Sequence, residues 1–432
     1  MSIRTYTAAC VAAAMGLGAV ASSAMELQRS PFPVPRPGTI ALTVGQVAGA
    51  GVTTMQISTA NRAFQRWIAG FRDRALGQGI SADVFDTAFS GIRYNTDVIQ
   101  RDRNQSEFTK TIWDYLDSAV SETRVRNGQA ALADNRQMLD RIEARYGVEK
   151  EVVVAIWGLE SAYGSYRGST PIIEALATLA FDGRRGTFFE GQLIAALKIL
   201  QAGDTDARHM TGSWAGAMGH TQFIPTSYLE HAVDFTGDGR RDIWADDPAD
   251  ALASTAAYLA RFGWTKGQPW GVEVRLPRDF DVELADRADM RMPSDWTALG
   301  VRDIRGKAVP DYGRASILLP AGAEGAAFMI FDNFAVIERY NTADAYVIGV
   351  GHLSDRIAGG PAIQASWPRG DRALRLAERK ELQERLTQAG FDTQGIDGRI
   401  GPNTIAAVRA YQKSVGMAPD GYASLDLLNR MR

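Results

Sequence analysis

The sequence contains one cysteine, Cys10, so no disulfide within the chain can hold it together. Its four histidines, His209, His220, His231 and His352, stand at no paired spacing, and a zinc site is not expected. No later apolar run approaches the roughly 20 residues that a bilayer-spanning helix needs, so the mature chain is expected to lack a transmembrane span. Charge of one sign is scarce too. The 47 basic and 50 acidic residues form no long blocks and leave a net charge of -3, which removes the electrostatic reason to expect nucleic acid as a partner. What is abundant is apolar material, 45% of the chain, enough for a sizeable core in a sequence long enough for more than one domain.

The first residues, "MSIRTYTAACVAAAMGLGAVASSAMELQ", carry Arg4, an apolar run from Ala8 to Ala21 and small residues at Ser22 and Ala24. That is the pattern of a secretory signal over 1–24, and the mature protein is expected to be exported and periplasmic. Cys10 precedes most of the apolar run, whereas a lipid-modified cysteine follows it, so lipid anchoring is not expected. Four prolines in "RSPFPVPRPGTI" make 25–57 a linker. From about Ser58 the spacing of apolar residues is helical, with Ser81 placed to cap a helix in "SADVFDTAF". Between Val272 and about Met329, the runs "GVEVRLP", "FDVEL" and "ASILLPAG" alternate and are bounded by proline and glycine, which predicts a small strand-containing insertion. Helical pattern returns in "DNFAVIERYNTADAYVIGVGHLSDRI". A second Gly/Pro-rich linker, 358–374, then sets off residues 375–432.

The residue that bears on chemistry is Glu160 in "WGLESAYGSY". On a helix through 150–163, Val152, Val153, Ile156 and Leu159 mark an apolar face, and Glu160 sits at its edge beside Ile156, Trp157 and Tyr163. Desolvation there raises a carboxyl pKa, as a general acid working near neutrality requires. The same pattern also fits a glutamate at a helix end, bonded to a neighbouring loop for structural reasons alone.

Three longer segments resemble the membrane-bound lytic murein transglycosylase B family, glycoside hydrolase family 103. They are "WGLESAYGSYRGSTPIIEALATLAFDGRRGTFFEGQL", "GSWAGAMGHTQFIPTSYLEHAVDFTGDGRRDIW" and "DNFAVIERYN", and the likeness runs from roughly Ala60 to Ile357. The resemblance implies a mainly α fold, with a lysozyme-like helical catalytic core over 58–357. It implies that Glu160 is the sole catalytic acid and base, that Ser213 lies near it and that Gln222 faces the glycan. Arg184 and Arg185 are candidates for pairing with stem-peptide or lactyl carboxylates, because the guanidinium fork matches a carboxylate. Tyr115, Tyr258 and Tyr340 are candidate sugar-stacking surfaces and Asn333 a candidate polar contact, all through their match to family positions. No cofactor is implied for the chemistry.

"DFTGDGRRDIWADDPAD" resembles the start of a calcium loop, with Asp234, Thr236 and Asp238 at alternate positions, Gly239 at the turn and the Arg240 carbonyl next. The closing acid of such a loop is missing, since Ala245 stands in its place; of Asp246, Asp247 and Asp250, the resemblance favours Asp250. A metal-free loop built on aspartate turns is the other reading.

The tail, "RKELQERLTQAGFDTQGIDGRIGPNTIAAVRAYQKSVGMAPDGYASLDLLNRM", reads as a small three-helix domain in which Pro402 opens the second helix and Ser424 caps the third. Gly395, Asp397, Gly398, Gly401 and Thr404, followed by Ala407, Val408, Tyr411 and Gln412, resemble the core of the peptidoglycan-binding type 1 domain. The expected partner is therefore the peptidoglycan glycan strand. Two other functions stay open at this point: a hydrolytic muramidase, which needs a second carboxylate opposite Glu160, and a wall scaffold that binds without cutting.

Overall fold

The run "KEVVVAIWGLES" forms the helix Lys150–Ser161, and nine of its twelve residues are buried. The single apolar face expected from the spacing is too narrow a description. Val154, Ala155 and Trp157 are buried along with Val152, Val153, Ile156 and Leu159, so the middle of this helix has no solvent side. It is enclosed by the helices Glu122–Asp134, Arg136–Tyr146, Ala249–Arg261 and Asp344–Ile357. These coordinates are a computed structural model that describes residues 54–103 and 110–432. The leader read over 1–24 lies outside the described residues, as does the linker read over 25–57 except for its end, where the helix Thr54–Gly77 has already begun.

The described residues are mostly helical, and hydroxyl caps set many of the breaks. Ser81 accepts the Val84 N–H at 3.3 Å and opens Ala82–Ala88 as expected. Thr111 and Ser121 likewise accept N–H groups at the starts of Ile112–Ala119 and Glu122–Asp134, dividing what reads as one continuous helical stretch in the sequence. "DNFAVIERYNTADAYVIGVGHLSDRI" is also two helices, Asp332–Tyr340 and Asp344–Ile357.

The strand-containing insertion is present as a four-stranded antiparallel sheet. Its spatial order is Arg302–Asp303, Gly271–Arg275, Ala327–Ile330, Ser316–Leu318, with Gly271 opposite Ile330 and Ser316 opposite the same residue on the far side. It packs its own core, in which Val274, Trp296, Val301, Ile317 and Met329 are buried. "FDVEL" is not a strand. Asp281 accepts the Glu283 N–H at 3.0 Å and winds Val282–Leu284 into a single tight turn.

The tail forms Leu376–Gln388, Pro402–Ser414 and Leu425–Met431 around Leu382, Leu386, Val408, Leu427 and Leu428. Pro402 opens the second helix, and Ser424 Oγ accepts the Leu427 N–H at 3.0 Å to open the third. Gln383, buried in the first helix, ties down the glycine-rich turn: its amide donates to Asp397 Oδ1 at 3.1 Å and its oxygen accepts the Gly398 N–H at 2.7 Å. The stretch read as a linker, 358–374, lies against the body. Glu273 accepts the N–H groups of Gln364 and Ala365, Arg369 pairs with Asp117 at 2.8 Å, and the Trp367 ring lies 6.3 Å from that of Trp113. The tail in turn meets the insertion, where Arg409 bonds the Ala285 carbonyl at 2.7 Å and Asp286 at 3.0 Å and Asp420 accepts the Ala323 N–H at 2.9 Å.

One glycine shows how closely the central helix is packed. A Cβ on Gly158 would stand 2.6 Å from the Tyr163 ring, which folds back over the helix end and donates its hydroxyl to the Arg124 carbonyl at 2.8 Å. Gly158→Ala is therefore expected to cost roughly 1–3 kcal/mol of stability, the usual range for overpacking. A calorimetric melting curve that matches wild type would show that the Tyr163 ring swings clear at no cost.

Candidate active site

Glu160 is the penultimate residue of Lys150–Ser161, where the buried helix reaches the surface, and it remains partly open to solvent. The Tyr346 hydroxyl bonds Glu160 Oε1 at 2.6 Å, from the first turns of Asp344–Ile357. Burial pushes the Glu160 carboxyl up to about 8, against the lowering effect of the Tyr346 hydrogen bond. Among the described residues no second acidic side chain contributes to that shift.

Two more tyrosines surround this carboxyl. Tyr340 is buried and its hydroxyl donates to the Thr221 carbonyl at 2.5 Å. Tyr115 brings a buried hydroxyl that has no hydrogen-bond partner among the described residues. Burial first, and then the charge of Glu160, push the hydroxyl pKa of Tyr115, Tyr340 and Tyr346 alike upward, so all three remain neutral donors.

The chain leaves the helix by an unusual turn. Ala162 and Tyr163 both adopt positive φ, 49° and 58°, at a cost of roughly 1–2 kcal/mol per residue for side chains other than glycine. The turn is fixed from below by Ser161, whose hydroxyl donates to the His220 carbonyl at 2.5 Å and accepts the Gly164 N–H at 2.9 Å. The Trp157 indole N–H donates to His220 Nδ1 at 3.1 Å, which places the imidazole proton on Nε2, where it meets the Ala245 carbonyl at 2.7 Å. Burial lowers the His220 pKa and favours this neutral form.

The glycine-rich segment lies directly against that turn. Gly168, at φ +86°, comes so close to Gly212 that an added Cβ would stand 2.2 Å from its backbone. Ser213 Oγ accepts the Ala217 N–H at 3.0 Å, which leaves the hydroxyl proton for another acceptor. The Gln222 amide nitrogen donates to the carbonyls of Arg167 and Gly219 at 3.0 and 2.8 Å, and its oxygen has no partner among the described residues.

The structure thus brings together Glu160, Tyr115 and Tyr340, with Ser213 and Gln222 on the segment packed against the same turn. The other expected contacts are used elsewhere. Arg184 and Arg185 both bond Asp102, at 2.5 and 3.2 Å, a carboxylate that is itself buried, so their forks meet a partner inside the chain. Asn333 is fully buried and its amide binds the backbone of Thr265 and Gln268. Tyr258 lies in an aromatic cluster with Phe223, His231, Phe262 and Tyr340, its hydroxyl on the Arg339 carbonyl at 2.6 Å. The polar atoms of both are thus met within the chain. Tyr346, which touches the central carboxyl, escaped the sequence reading; the signal available was a second tyrosine six positions after Tyr340.

In the calcium-like loop, carboxylate oxygens of Asp234, Asp238 and Asp250 lie within 4.8 Å of one another. Asp250 closes the group from the first turn of Ala249–Arg261, its oxygens accepting the N–H groups of Phe235, Thr236 and Asp242. Thr236 donates its hydroxyl to Asp234 at 3.3 Å, and the Arg240 N–H donates to Asp238 at 2.9 Å. Three hard oxygen donors at this spacing fit a calcium ion, whose ligands stand at about 2.3–2.6 Å. A cleft of about 700 Å³ opens between Arg136, Arg141 and the Phe235–Thr236 edge of this loop; it is lined by exposed charges and has none of the buried acid chemistry of Glu160.

A carboxyl raised by burial, three tyrosine hydroxyls around it and a backbone-rich loop on a helical frame are the arrangement of a lysozyme-like helical enzyme class. Residues 63–355 match the family model described as the transglycosylase SLT domain, and the chain belongs to that family. Residues 375–431 match the putative peptidoglycan binding domain. The chain is 34% identical over 251 residues to the membrane-bound lytic murein transglycosylase B of Escherichia coli (strain K12), a match that spans 56% of this chain and 66% of that protein. It is similar in structure to SltB3 from Pseudomonas aeruginosa, solved in complex with NAG-anhNAM-pentapeptide, with 49% identity, a TM-score of 0.83 and coverage of 85% of this chain and 99% of that one. It also resembles the Escherichia coli lytic transglycosylase Slt35 in complex with calcium, at 30% identity and a TM-score of 0.58, over 69% of this chain and 93% of that one.

The raised carboxyl has a consequence for folding as well as chemistry. Its folded pKa, about 8, lies above that of an unfolded glutamate, so between those values the folded state holds the extra proton and stability falls as pH rises. Glu160→Gln, which cannot ionise, is expected to melt above wild type at pH 8–9, with the gap closing toward pH 4. Parallel melting curves at all pH values would place the carboxyl pKa near its ordinary value.

Proposed function

We infer that this chain is a lytic transglycosylase that cleaves the β-1,4 bond between N-acetylmuramic acid and N-acetylglucosamine in peptidoglycan, without water, leaving 1,6-anhydromuramoyl ends. The observation that carries the reading is one carboxyl at the end of a buried helix, bonded by the Tyr346 hydroxyl at 2.6 Å and pushed up to about 8 by burial. Glycosidases that use water need two carboxylates, one to protonate the leaving oxygen and one to direct the nucleophile. N-acetylmuramic acid carries its own nucleophiles, so one acid suffices. Glu160 donates its proton to the glycosidic oxygen as that bond breaks, and the 2-acetamido oxygen supports the cation developing at the anomeric carbon. The resulting carboxylate, held by the Tyr346 hydroxyl, then takes the proton of the 6-hydroxyl as that oxygen closes on the anomeric carbon. The complexes of SltB3 with NAG-anhNAM-pentapeptide and NAG-NAM-pentapeptide support this reading.

The Ser213 hydroxyl and the Gln222 oxygen are polar groups left to receive the glycan, while the buried Tyr115 hydroxyl lines the wall behind the acid. Asp234, Asp238 and Asp250, with Thr236 and the Arg240 carbonyl, would hold a structural calcium ion; bound there, the ion neutralises the clustered carboxylates, and it takes no part in the bond cleavage. The tail binds the wall. The leader supports an exported, periplasmic protein without a lipid anchor, and among the described residues no helix is long and apolar enough to cross a membrane.

Glu160→Gln keeps the shape and removes the transferable proton, so turnover on purified sacculi is expected to fall by about 10²- to 10⁴-fold or more while glycan binding persists. Wild-type products should resist borohydride and weigh about 18 mass units less than their hydrolysed equivalents, because no water is added. Reducible ends from the wild-type protein would favour the muramidase instead.

For the metal, millimolar calcium is expected to raise the melting temperature relative to chelator, since an ion that binds only the native state stabilises it. Asp250→Asn should abolish the increment. Superimposable wild-type curves with and without calcium would remove the metal from the loop.

A further inference from the structure

Tyr166 is the most exposed large hydrophobic side chain among the described residues, at 65%. A single exposed aromatic is ordinary on a protein surface. What is unusual is how firmly the backbone beneath this one is held, and beside what. Its N–H donates to the Ser161 carbonyl at 2.9 Å, which ties its backbone to the residue that follows Glu160. The residue after it, Arg167, gives its carbonyl to the Gln222 amide at 3.0 Å and its guanidinium to the Trp244 and Ala245 carbonyls at 2.7 Å each and to Asp246 at 2.9 Å. Gly168 then locks against Gly212. The Tyr166 ring itself packs on no other aromatic ring, and its hydroxyl has no hydrogen bond among the described residues. The segment thus spends its hydrogen bonds on fixing the backbone between Glu160 and the Gln222 loop, and leaves one flat apolar ring facing solvent there.

We propose that Tyr166 is a stacking platform for a sugar ring of the glycan strand bound at Glu160. The inference rests on the glycan-cleaving function given above. A pyranose presents a face of axial C–H groups that packs on an aromatic plane, and a tyrosine has only two side-chain torsions to lose on contact. Burying this ring under a sugar also removes apolar surface from water. Because the Tyr166 side chain is not among the groups that act on Glu160, its contribution is uniform binding: it lowers KM without changing the chemical step.

The test uses the full chain and a purified tetrasaccharide of alternating N-acetylglucosamine and N-acetylmuramic acid. Tyr166→Ala is expected to raise KM by about 3- to 10-fold, the range of an aromatic contact, with kcat within about twofold of wild type. Tyr166→Phe and Tyr166→Trp should restore wild-type KM, since the plane acts and the hydroxyl does not. Calorimetric binding of the same tetrasaccharide to Glu160→Gln, with and without Tyr166→Ala, reads the platform independently of turnover. A wild-type chain that yields no product would overturn the function of Glu160, while the binding arm would still decide Tyr166. Unchanged KM and binding in Tyr166→Ala overturn the platform. So does a fall in kcat alone, which would mark a structural role, and so does a Phe variant as weak as Ala, which would mark a hydroxyl contact.

Discussion

The desolvation of one carboxyl is the constraint on which the rest of this structure depends. Glu160 stands at the end of a helix buried on every side through its middle, and the neighbours that bury it also hold it protonated at neutral pH. Such a group is expensive to keep in place unless its hydrogen-bonding capacity is met, and Tyr346 meets it from a helix far along the chain. The helices Lys150–Ser161 and Asp344–Ile357 must therefore dock in register, and the Glu160–Tyr346 pair forms only when the whole helical body has folded around them.

The second requirement is a rigid exit from that helix. Two residues accept left-handed geometry there, and the strain persists because Ser161, Trp157 and His220 over-determine the turn from beneath. His220 works through its tautomer: with the proton on Nε2 it accepts from tryptophan on one side and donates to a carbonyl on the other. The same turn supports the Gln222 and Ser213 segment, so the raised carboxyl and those two polar side chains share one foundation.

What was legible in the sequence was what is local. Glu160, the calcium-like loop and the tail are each written in a short run of residues, and the caps at Ser81, Pro402 and Ser424 follow from their immediate neighbours. Partnerships across the chain were not legible. Tyr346 lies 186 positions from Glu160, and nothing in its surroundings "TADAYVIG" says that its hydroxyl will meet a carboxyl. Arg184 and Arg185 read as open forks because their partner, Asp102, lies 82 and 83 positions earlier and is buried only in the folded state. Asn333 and Tyr258 matched site positions by motif, yet packing gives their polar atoms backbone partners. "FDVEL" alternates like a strand, and the Asp281 side chain overrides the alternation by capping a turn.

The path between the two folded parts adds a mechanical property. A Gly/Pro-rich spacer left free acts as a leash, and its length sets how far an attached domain can wander. Here the spacer is laid down on Glu273, Asp117 and Trp113, and the tail is fastened to the insertion through Arg409 and Asp420. Slack is consumed by contacts. A grip by the tail on the wall is then passed to the acid as an angle of approach rather than as a radius of search.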